Sequence, residues 1–162
     1  MAEKTILQKI VERGHYKFVD SVANWQEAVK LSCESLVATG YVSENYYQQI
    51  VDCIEKYGPY VVFEHYVAMP HTQEGAEGAN QTAVGFMRVK QDVDFGKDED
   101  GEDKIARLFF TLAAKDPNEH LDNMQQLIQI FTNEPLLDAL MEANTPEHIL
   151  AAEAKYPPEE EI

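Results

Sequence analysis

The chain has 162 residues, 44% of them hydrophobic, which predicts a single domain with a substantial core. Its formal net charge of −16 argues against binding to nucleic acid or to anionic lipid surfaces, because both depend on Lys and Arg side chains. No apolar run approaches the length of a membrane span, and charges interrupt the first apolar positions before a signal peptide can form. We therefore expect a cytoplasmic protein with no direct membrane insertion.

The N-terminal third of the chain has mainly helical patterns. The first residues are helical in character, and HYKFV at 15–19 is a possible strand. A helix is predicted to begin after Asn24, which can cap it together with Glu27, and to end at Gly40, where a left-handed conformation is easy. Its apolar residues recur with helical spacing and should face a core: Trp25, Ala28, Val29, Leu31, Leu36 and Val37.

A second helix is predicted over 44–57. Ser43 can cap this helix and Gly58 can stop it. Its buried stripe is predicted to consist of Tyr47, Ile50, Val51 and Ile54. The two cysteines of the chain, Cys33 and Cys53, lie in these two helices without CxxC spacing, so we expect small buried side chains in a reducing compartment.

The hydrophobic period then changes from helical to extended. Runs rich in β-branched and aromatic residues predict strands at 59–63, 66–69, 82–89 and 105–114. These strands are too closely spaced for a helical crossover between each pair. The sequence therefore predicts an α/β fold of the α+β type, a mixed β-sheet flanked by helices, rather than a doubly wound parallel sheet. The acidic stretch KDEDGED at 97–103 lacks the first and twelfth ligands of a calcium loop and is interpreted as a solvated hairpin connection.

Helical signals return after the last predicted strand. Asp116 can cap a helix that has Pro117 in its first position and Glu119 in its third. Two shorter helices are predicted over 133–142 and 145–155. Residues 1–155 are accordingly assigned to one domain, and residues 156–162, YPPEEEI, are predicted to be an acidic, disordered tail that buries nothing.

His71 is the histidine with the most informative setting. It follows Pro70 at the end of a predicted strand, and proline restricts the backbone, so the ring should have a defined position. The small and polar residues 72–81 should let a partner approach it. This placement suits a nucleophile, although a histidine next to a proline is more often an ordinary turn residue.

His120 lies in the first turn of the helix that begins after Asp116. Free backbone amides and the helix dipole favour an anion such as a phosphoryl group there, and they disfavour a protonated imidazole. A neutral His120 could then donate a hydrogen bond. The alternative is a solvent-facing histidine without a function.

The other histidines and motifs give weaker indications of a function. His15 has no motif around it, His65 could lie on a sheet face or at a bend, and His148 occupies an ordinary helix start. HxxH and HExxH spacings, phosphate-binding glycine loops and a serine nucleophile elbow are all absent from the sequence. We predict neither a metal nor a cofactor, and we keep a metal-dependent hydrolase using His65, His71 and His120 as a minor alternative.

Three segments together resemble a known family: NWQEAVK at 24–30, YGPYVVFEHYVAMPH at 57–71, and FFTLAAKDPNEH at 109–120. They are similar to enzyme IIA domains of the bacterial phosphoenolpyruvate-dependent sugar phosphotransferase system, within the fructose and mannitol superfamily (EIIA type 2). The resemblance is greatest to the ascorbate-specific branch and covers roughly residues 25–150. It implies a mixed β-sheet flanked by helices, in agreement with the pattern above.

The resemblance also implies a function and a site. His71 matches the phosphorylated histidine, which accepts a phosphoryl group from phospho-HPr and passes it to a cysteine of a IIB component. His120 matches the second active-site histidine. Relatives of the mannitol type have Gly where this chain has Thr72, and an arginine in the helix that here reads DCIEKY at 52–57. We therefore expect backbone amides, the Thr72 hydroxyl and His120 to stabilise the phosphoryl group.

Neither cysteine lies in a glycine-rich phosphate-binding loop, so the IIB component is expected on a separate chain, and a membrane IIC permease takes part only indirectly. The resemblance makes the protein a phosphotransferase in the uptake of ascorbate or a related sugar. The alternative is a regulatory module that signals through the phosphorylation state of His71.

Overall fold

The computed structural model describes residues 4–72 and 79–157. Within these residues the chain forms six helices and five strands. In chain order they are α1 (Ile6–Arg13), β1 (Tyr16–Val19), α2 (Trp25–Ala38), α3 (Tyr46–Tyr57), β2 (Val62–Phe63), β3 (Val67–Ala68), β4 (Ala83–Lys97), β5 (Asp103–Ala113), α4 (Pro117–Phe131), α5 (Glu134–Met141) and α6 (Pro146–Lys155). None of the described helices combines the length and the apolar composition that crossing a membrane requires.

The strands form one mixed sheet in the order β1-β4-β5-β3-β2. β1 is parallel to β4 and β3 is parallel to β5, whereas the β4–β5 and β2–β3 pairs are antiparallel. Helices α2 and α3 pack on one face, and α1, α4, α5 and α6 pack on the other, so that each face covers its own apolar core. The predicted mixed sheet flanked by helices is confirmed.

The ends of most helices follow their capping residues. The Asn24 side chain accepts a hydrogen bond of 2.8 Å from the Glu27 amide, and Gly40 has the expected left-handed backbone with φ of +79°. The predicted start of α3 is wrong, because this helix begins at Tyr46 after Asn45, and the Ser43 hydroxyl donates to the Asn45 side chain instead of capping the helix.

The buried side chains of the two helices differ in part from the prediction. Tyr46 is buried whereas Tyr47 is only partly buried, and Ile50, Val51 and Ile54 are buried as predicted. Cys33 is buried, and burial raises the pKa of its thiol to about 12, so the thiol stays protonated. Cys53 is only half-buried, which contradicts the expectation of two buried cysteines.

The strands differ from the predicted runs mainly in length. β2 and β3 have only two residues each, and β4 continues to Lys97, well beyond the predicted end at 89. A shift in register between Arg88 and Val93 interrupts the alternation of β4, which explains why its second half was not recognised. The acidic hairpin connection is confirmed, since the Asp98 side chain accepts hydrogen bonds from the amides of Asp100 and Glu102.

The C-terminal prediction is wrong for one residue. Tyr156 is half-buried and packs against the core beside α6, and its carbonyl accepts a hydrogen bond of 3.0 Å from the Asn133 side chain. Residues 158–162 lie outside the described residues.

The segment after β3 and the start of α4, which the sequence analysis singled out, lie at the same end of the sheet. β4 begins there at Ala83, which pairs with Ala113 at the end of β5, and α4 starts shortly after β5. The segment after β3 joins the same end, because the Leu112 amide donates to the Pro70 carbonyl at 2.9 Å. The fold therefore brings His71 and the first turn of α4 to one place.

Candidate functional site

The segment that carries His71 is held by backbone hydrogen bonds on both sides. The Met69 amide donates to the Val61 carbonyl at 2.8 Å, and the Pro70 carbonyl accepts from the Leu112 amide. Leu112 is held in turn, because its carbonyl accepts a bond of 2.6 Å from the hydroxyl of the buried Tyr46. The position of His71 is therefore fixed by the neighbouring strand and by α3, as the Met-Pro-His sequence predicted.

The ring of His71 has a defined tautomer. Its Nδ1 lies 2.6 Å from the Met69 carbonyl oxygen, which can only accept, so Nδ1 carries the proton. No described residue makes a hydrogen bond to Nε2. The lone pair of a neutral imidazole is then on Nε2, the atom available for attack on an electrophile.

The surroundings of His71 favour the neutral ring. Burial lowers the pKa of the imidazole below its ordinary value; the bond to the Met69 carbonyl opposes this change, and the nearby His120 adds to it. A lower pKa means that the ring is unprotonated at neutral pH. His71 is therefore ready as a nucleophile without a separate base to remove a proton.

Tyr60 is a site residue that the sequence analysis did not single out. Its hydroxyl donates a short hydrogen bond to the His71 carbonyl, and its ring meets the His71 ring edge-on with centroids 5.1 Å apart. Burial raises the pKa of Tyr60, so the hydroxyl keeps its proton and remains a donor. The YGPY segment could have indicated Tyr60, because this second tyrosine directly follows Gly58 and Pro59.

His120 lies close enough to His71 for its charge to contribute to the lowered pKa of the His71 ring. The side chain is half-buried, and its Nδ1 is buried without a hydrogen-bond partner among the described residues. A buried polar atom without a partner is uncommon and is destabilising. His120 thus has hydrogen-bonding capacity that the described protein does not use.

The expectation of free amides at the start of α4 is wrong. The Asp116 side chain accepts hydrogen bonds from the amides of Asn118 and Glu119, and the Asp116 carbonyl accepts from the amide of His120. These donors are occupied by the cap, and the Asp116 carboxylate already places a negative charge at this helix end. An anion beside His71 would therefore have to find its donors elsewhere than on the amides of the first turn of α4.

Thr82 determines where α4 begins. Its hydroxyl accepts hydrogen bonds of 2.9 Å and 2.7 Å from the amides of Lys115 and Asp116, so it joins the start of β4 to the cap of α4. Thr72, the predicted hydroxyl donor, follows His71 directly and is half-buried. Of the polar segment 72–81, which was expected to leave access to the ring, residues 73–78 lie outside the described residues.

The other histidines are in different places. His65 lies at the bend between β2 and β3, where its Nε2 is 2.8 Å from Asp138 and its Nδ1 is 3.5 Å from Glu134. His15 is buried at the start of β1, and His148 is exposed at the start of α6. Within residues 4–72 and 79–157, no three His, Cys, Asp or Glu side chains converge as metal ligands would.

The sequence is similar to proteins of one known family. The sequence profile of the family described as "Phosphoenolpyruvate-dependent sugar phosphotransferase system, EIIA 2" matches residues 9–154. An ascorbate-specific PTS system EIIA component from Escherichia coli K12 is 35% identical over 142 residues, which cover 87% of this chain and 90% of that protein.

Solved structures show the same fold. The mannitol-specific cryptic phosphotransferase enzyme IIA from Escherichia coli superposes with a TM-score of 0.78 at 29% identity, covering 93% of this chain and 99% of that one. The IIA chain in a complex of mannitol enzyme IIA with phosphorylated enzyme IIB from Escherichia coli gives a TM-score of 0.71 at 27% identity, with coverage of 87% and 94%.

Proposed function

The chain belongs to the EIIA type 2 family of the phosphoenolpyruvate-dependent sugar phosphotransferase system, and we propose that it accepts a phosphoryl group from phospho-HPr on His71 and passes it to a cysteine of a separate IIB component. Members of this family are phosphotransferase carriers. The observation that carries the choice of residue is the His71 tautomer: Nδ1–H is bound to the Met69 carbonyl, and Nε2 is left as the nucleophile.

The chemistry consists of two displacements at phosphorus. The Nε2 lone pair forms the new bond to phosphorus while the bond to the donor's histidine breaks, and the proton on Nδ1 stays hydrogen-bonded to Met69. In the second step a IIB thiolate attacks phosphorus and Nε2 leaves. Phosphoryl transfer passes through a loose, in-line transition state, so positioning and charge stabilisation are the main contributions of the protein.

His120 and Thr72 are the proposed stabilisers of the phosphoryl oxygens. The amides at the start of α4 are already bound to Asp116, whereas the ring of His120 has a buried nitrogen without a described partner. A side-chain donor placed before the reaction stabilises the developing charge without reorganisation. This assignment agrees with the absence of the arginine of mannitol-type relatives from residues 52–57.

The surface around His71 suits brief docking of two successive partners. Tyr57, whose ring lies 6.4 Å from that of Tyr60, is 45% exposed, and Leu121, next to His120, is 58% exposed. Exposed apolar side chains beside a reactive group can anchor a partner in a small interface of about 1,200 Å² or less. The net charge of −16 favours partners with a basic patch.

The transported compound is proposed from the relative rather than from the site. The Escherichia coli relative is an ascorbate-specific component, and we extend this assignment to ascorbate or a related sugar. The IIA component exchanges phosphoryl groups with proteins, and a membrane IIC permease that binds the sugar would take part only through IIB. These partners would place the chain in the cytoplasm.

The first experiment is intact-mass analysis after incubation with phosphoenolpyruvate, enzyme I and HPr. We expect one acid-labile phosphoryl group on the wild type and on His148→Ala, which alters an exposed histidine, and none on His71→Ala. Phosphorylation of His71→Ala would overturn the assignment of the residue. An uncharged wild type, with HPr shown to be charged, would overturn the carrier function itself.

A second step separates the carrier from a regulatory module. The charged protein is mixed with purified ascorbate-type and mannitol-type IIB proteins, and loss of its phosphoryl group is followed by mass. We expect rapid discharge to the ascorbate-type IIB. A protein that is charged on His71 but is discharged by neither IIB would favour signalling through its phosphorylation state.

A further inference from the structure

A second charged site lies on the sheet away from His71. Arg88 is in the middle of β4 and pairs with Leu108 of β5, four residues before Leu112, which contacts Pro70. At the rise of a β-strand this separation is roughly 14 Å along the sheet. Arg88 alternates with Met87 and Val89 and lies on the face covered by α1, α4, α5 and α6.

The guanidinium of Arg88 is buried with few partners. The residue is 3% exposed, its Nη2 donates to the Asn144 side chain at 3.1 Å, and its Nε has no partner among the described residues. It also lies over the Phe18 ring at 5.7 Å. No described carboxylate is in contact with it; Asp20 and Glu142 act on it only at longer range. A buried charge normally has a counterion or a full set of hydrogen bonds, and Arg88 has neither.

Arg88 lines a cavity of about 440 Å³ between β4, β5 and α5. Lys90 and Arg107 are also in its wall, so three cations converge in a chain that has only 13 Lys and Arg against 29 Asp and Glu. Two carboxylates, Asp138 and Glu142, complete the charged lining. Asp138 already contacts His65, whereas Glu142 has no ion-pair partner among the described residues.

We propose that this cavity binds a small carboxylic acid that carries a hydroxyl or ammonium group on the carbon next to its carboxylate. The planar guanidinium of Arg88 fits a carboxylate, and no described carboxylate is in contact with it. The adjacent donor fits Glu142. One negative charge matches the balance of the lining better than two, because the carboxylates of Asp138 and Glu142 repel a dianion.

The test follows the Nε–H resonance of Arg88 in ¹⁵N–¹H spectra of the full chain, with the probes D-glycerate, L-serine, acetate and inorganic phosphate. Probes are added to about 10 mM, enough to saturate a site with a Kd of about 1 mM. We expect a saturable shift with glycerate or serine, and the stronger of the two identifies the donor as hydroxyl or ammonium. No saturable shift with either would overturn the proposal, and phosphate binding tighter than both would overturn the choice of a carboxylate.

Variants assign the binding to the cavity. Arg88→Met should abolish the shift of neighbouring amides, whereas Arg13→Met, which removes a cation stacked on Tyr41, should leave the affinity unchanged. Lys90→Met removes a largely exposed cation of the lining and should weaken binding about tenfold, even if Arg88→Met does not fold. Wild-type affinity in Lys90→Met, or affinity for acetate equal to that for glycerate and serine, would contradict the site. Phosphorylation of His71 is measured separately and does not bear on this result.

Discussion

His15 precedes β1 and His71 follows β3, so both histidines lie at the same end of the sheet, and each ring meets a tyrosine ring edge-on. The centroids are 4.6 Å apart for His15 and Tyr41, and 5.1 Å apart for His71 and Tyr60. The two rings are held through opposite nitrogens. His15 uses Nε2, at 2.9 Å from the Thr39 hydroxyl, and His71 uses Nδ1.

This difference decides which ring can be a nucleophile at Nε2. The Thr39 hydroxyl donates its proton to a carbonyl of α2, so Nε2 of His15 must carry a proton and donate to Thr39. The lone pair at Nε2 is therefore absent in His15 and present in His71. Two buried histidines with similar aromatic contacts thus have different roles, one structural and one chemical, because of the acceptor that each ring meets.

The largest effect is expected for the stability contribution of His15. Burial, together with the nearby Arg13 charge, lowers its pKa from the ordinary value of 6.5 to about 4. The unfolded chain then binds a proton that the folded chain does not, so stability falls as the pH drops from 6.5 to 4 and stays level below that. The loss is at most about 3 kcal/mol at 1.36 kcal/mol per pKa unit.

His15→Asn tests this expectation through the change of stability with pH. Urea unfolding of wild type and variant at several pH values between 4 and 8 gives the two curves. We expect the curve of the variant to be flatter by up to about 3 kcal/mol over this range, whatever its stability at pH 8. Subtracting the curves removes the contribution of His71, whose pKa is also lowered by burial. Parallel curves would show that folding does not lower the pKa of His15.

The second effect concerns His120, which has no counterpart near His15. His120→Gln should slow phosphorylation of His71 about 100-fold, the loss typical of removing one donor to a developing charge. It should also raise the pKa of His71, because His120 is one of the causes that lower it. Rapid-quench kinetics and an NMR titration of His71 measure the two changes.

His148→Gln is the control for this variant, since His148 also lies in the first turn of a helix but is exposed at α6. It should change neither the rate nor the pKa of His71. If His120→Gln phosphorylates as fast as this control, then His120 does not stabilise the phosphoryl group, and its unpartnered Nδ1 needs a different explanation.

The sequence predicted the position of His71 and the cap of α4, but it did not predict the hydrogen bonds that are made there. The position of His71 followed from Pro70 and the strand before it, and the cap of α4 followed from Asp116, because such local signals depend on neighbours in the chain. The amides of α4 were predicted to be free although the same pattern makes Asp116 the cap, whose side chain occupies two of them. Which nitrogen of each ring carries the proton could not be predicted, since this depends on partners whose geometry is set by the fold.

The prediction of the sheet was limited in the same way, because the lengths of its strands depend on the fold. The mixed topology followed from the spacing of apolar runs, but β2 and β3 shrink to two residues each because the bend at His65 and Tyr66, both with positive φ, takes up the chain between them. The second half of β4 was not predicted, because the register shift after Arg88 interrupts the strand pattern. The importance of Tyr60 and Thr82 arises from contacts with residues that are distant in the chain or across a turn, and these contacts are visible only in the structure.

The smallest effect is expected when only the hydroxyl groups of the two tyrosines are removed. Tyr60→Phe keeps the edge-on ring but removes the hydrogen bond to the His71 carbonyl, whereas no hydroxyl hydrogen bond of Tyr41 occurs among the described residues. We expect Tyr60→Phe to lower the free energy of unfolding by about 1 kcal/mol and Tyr41→Phe to change it by less than about 0.5 kcal/mol. Phosphorylation of Tyr60→Phe should slow less than about tenfold, because the bonds from Leu112 and Met69 still hold the segment. Equal stability and rate in the two variants would show that the Tyr60 hydroxyl does not help to position His71, and the distinction between the two histidines would then rest on the Met69 carbonyl.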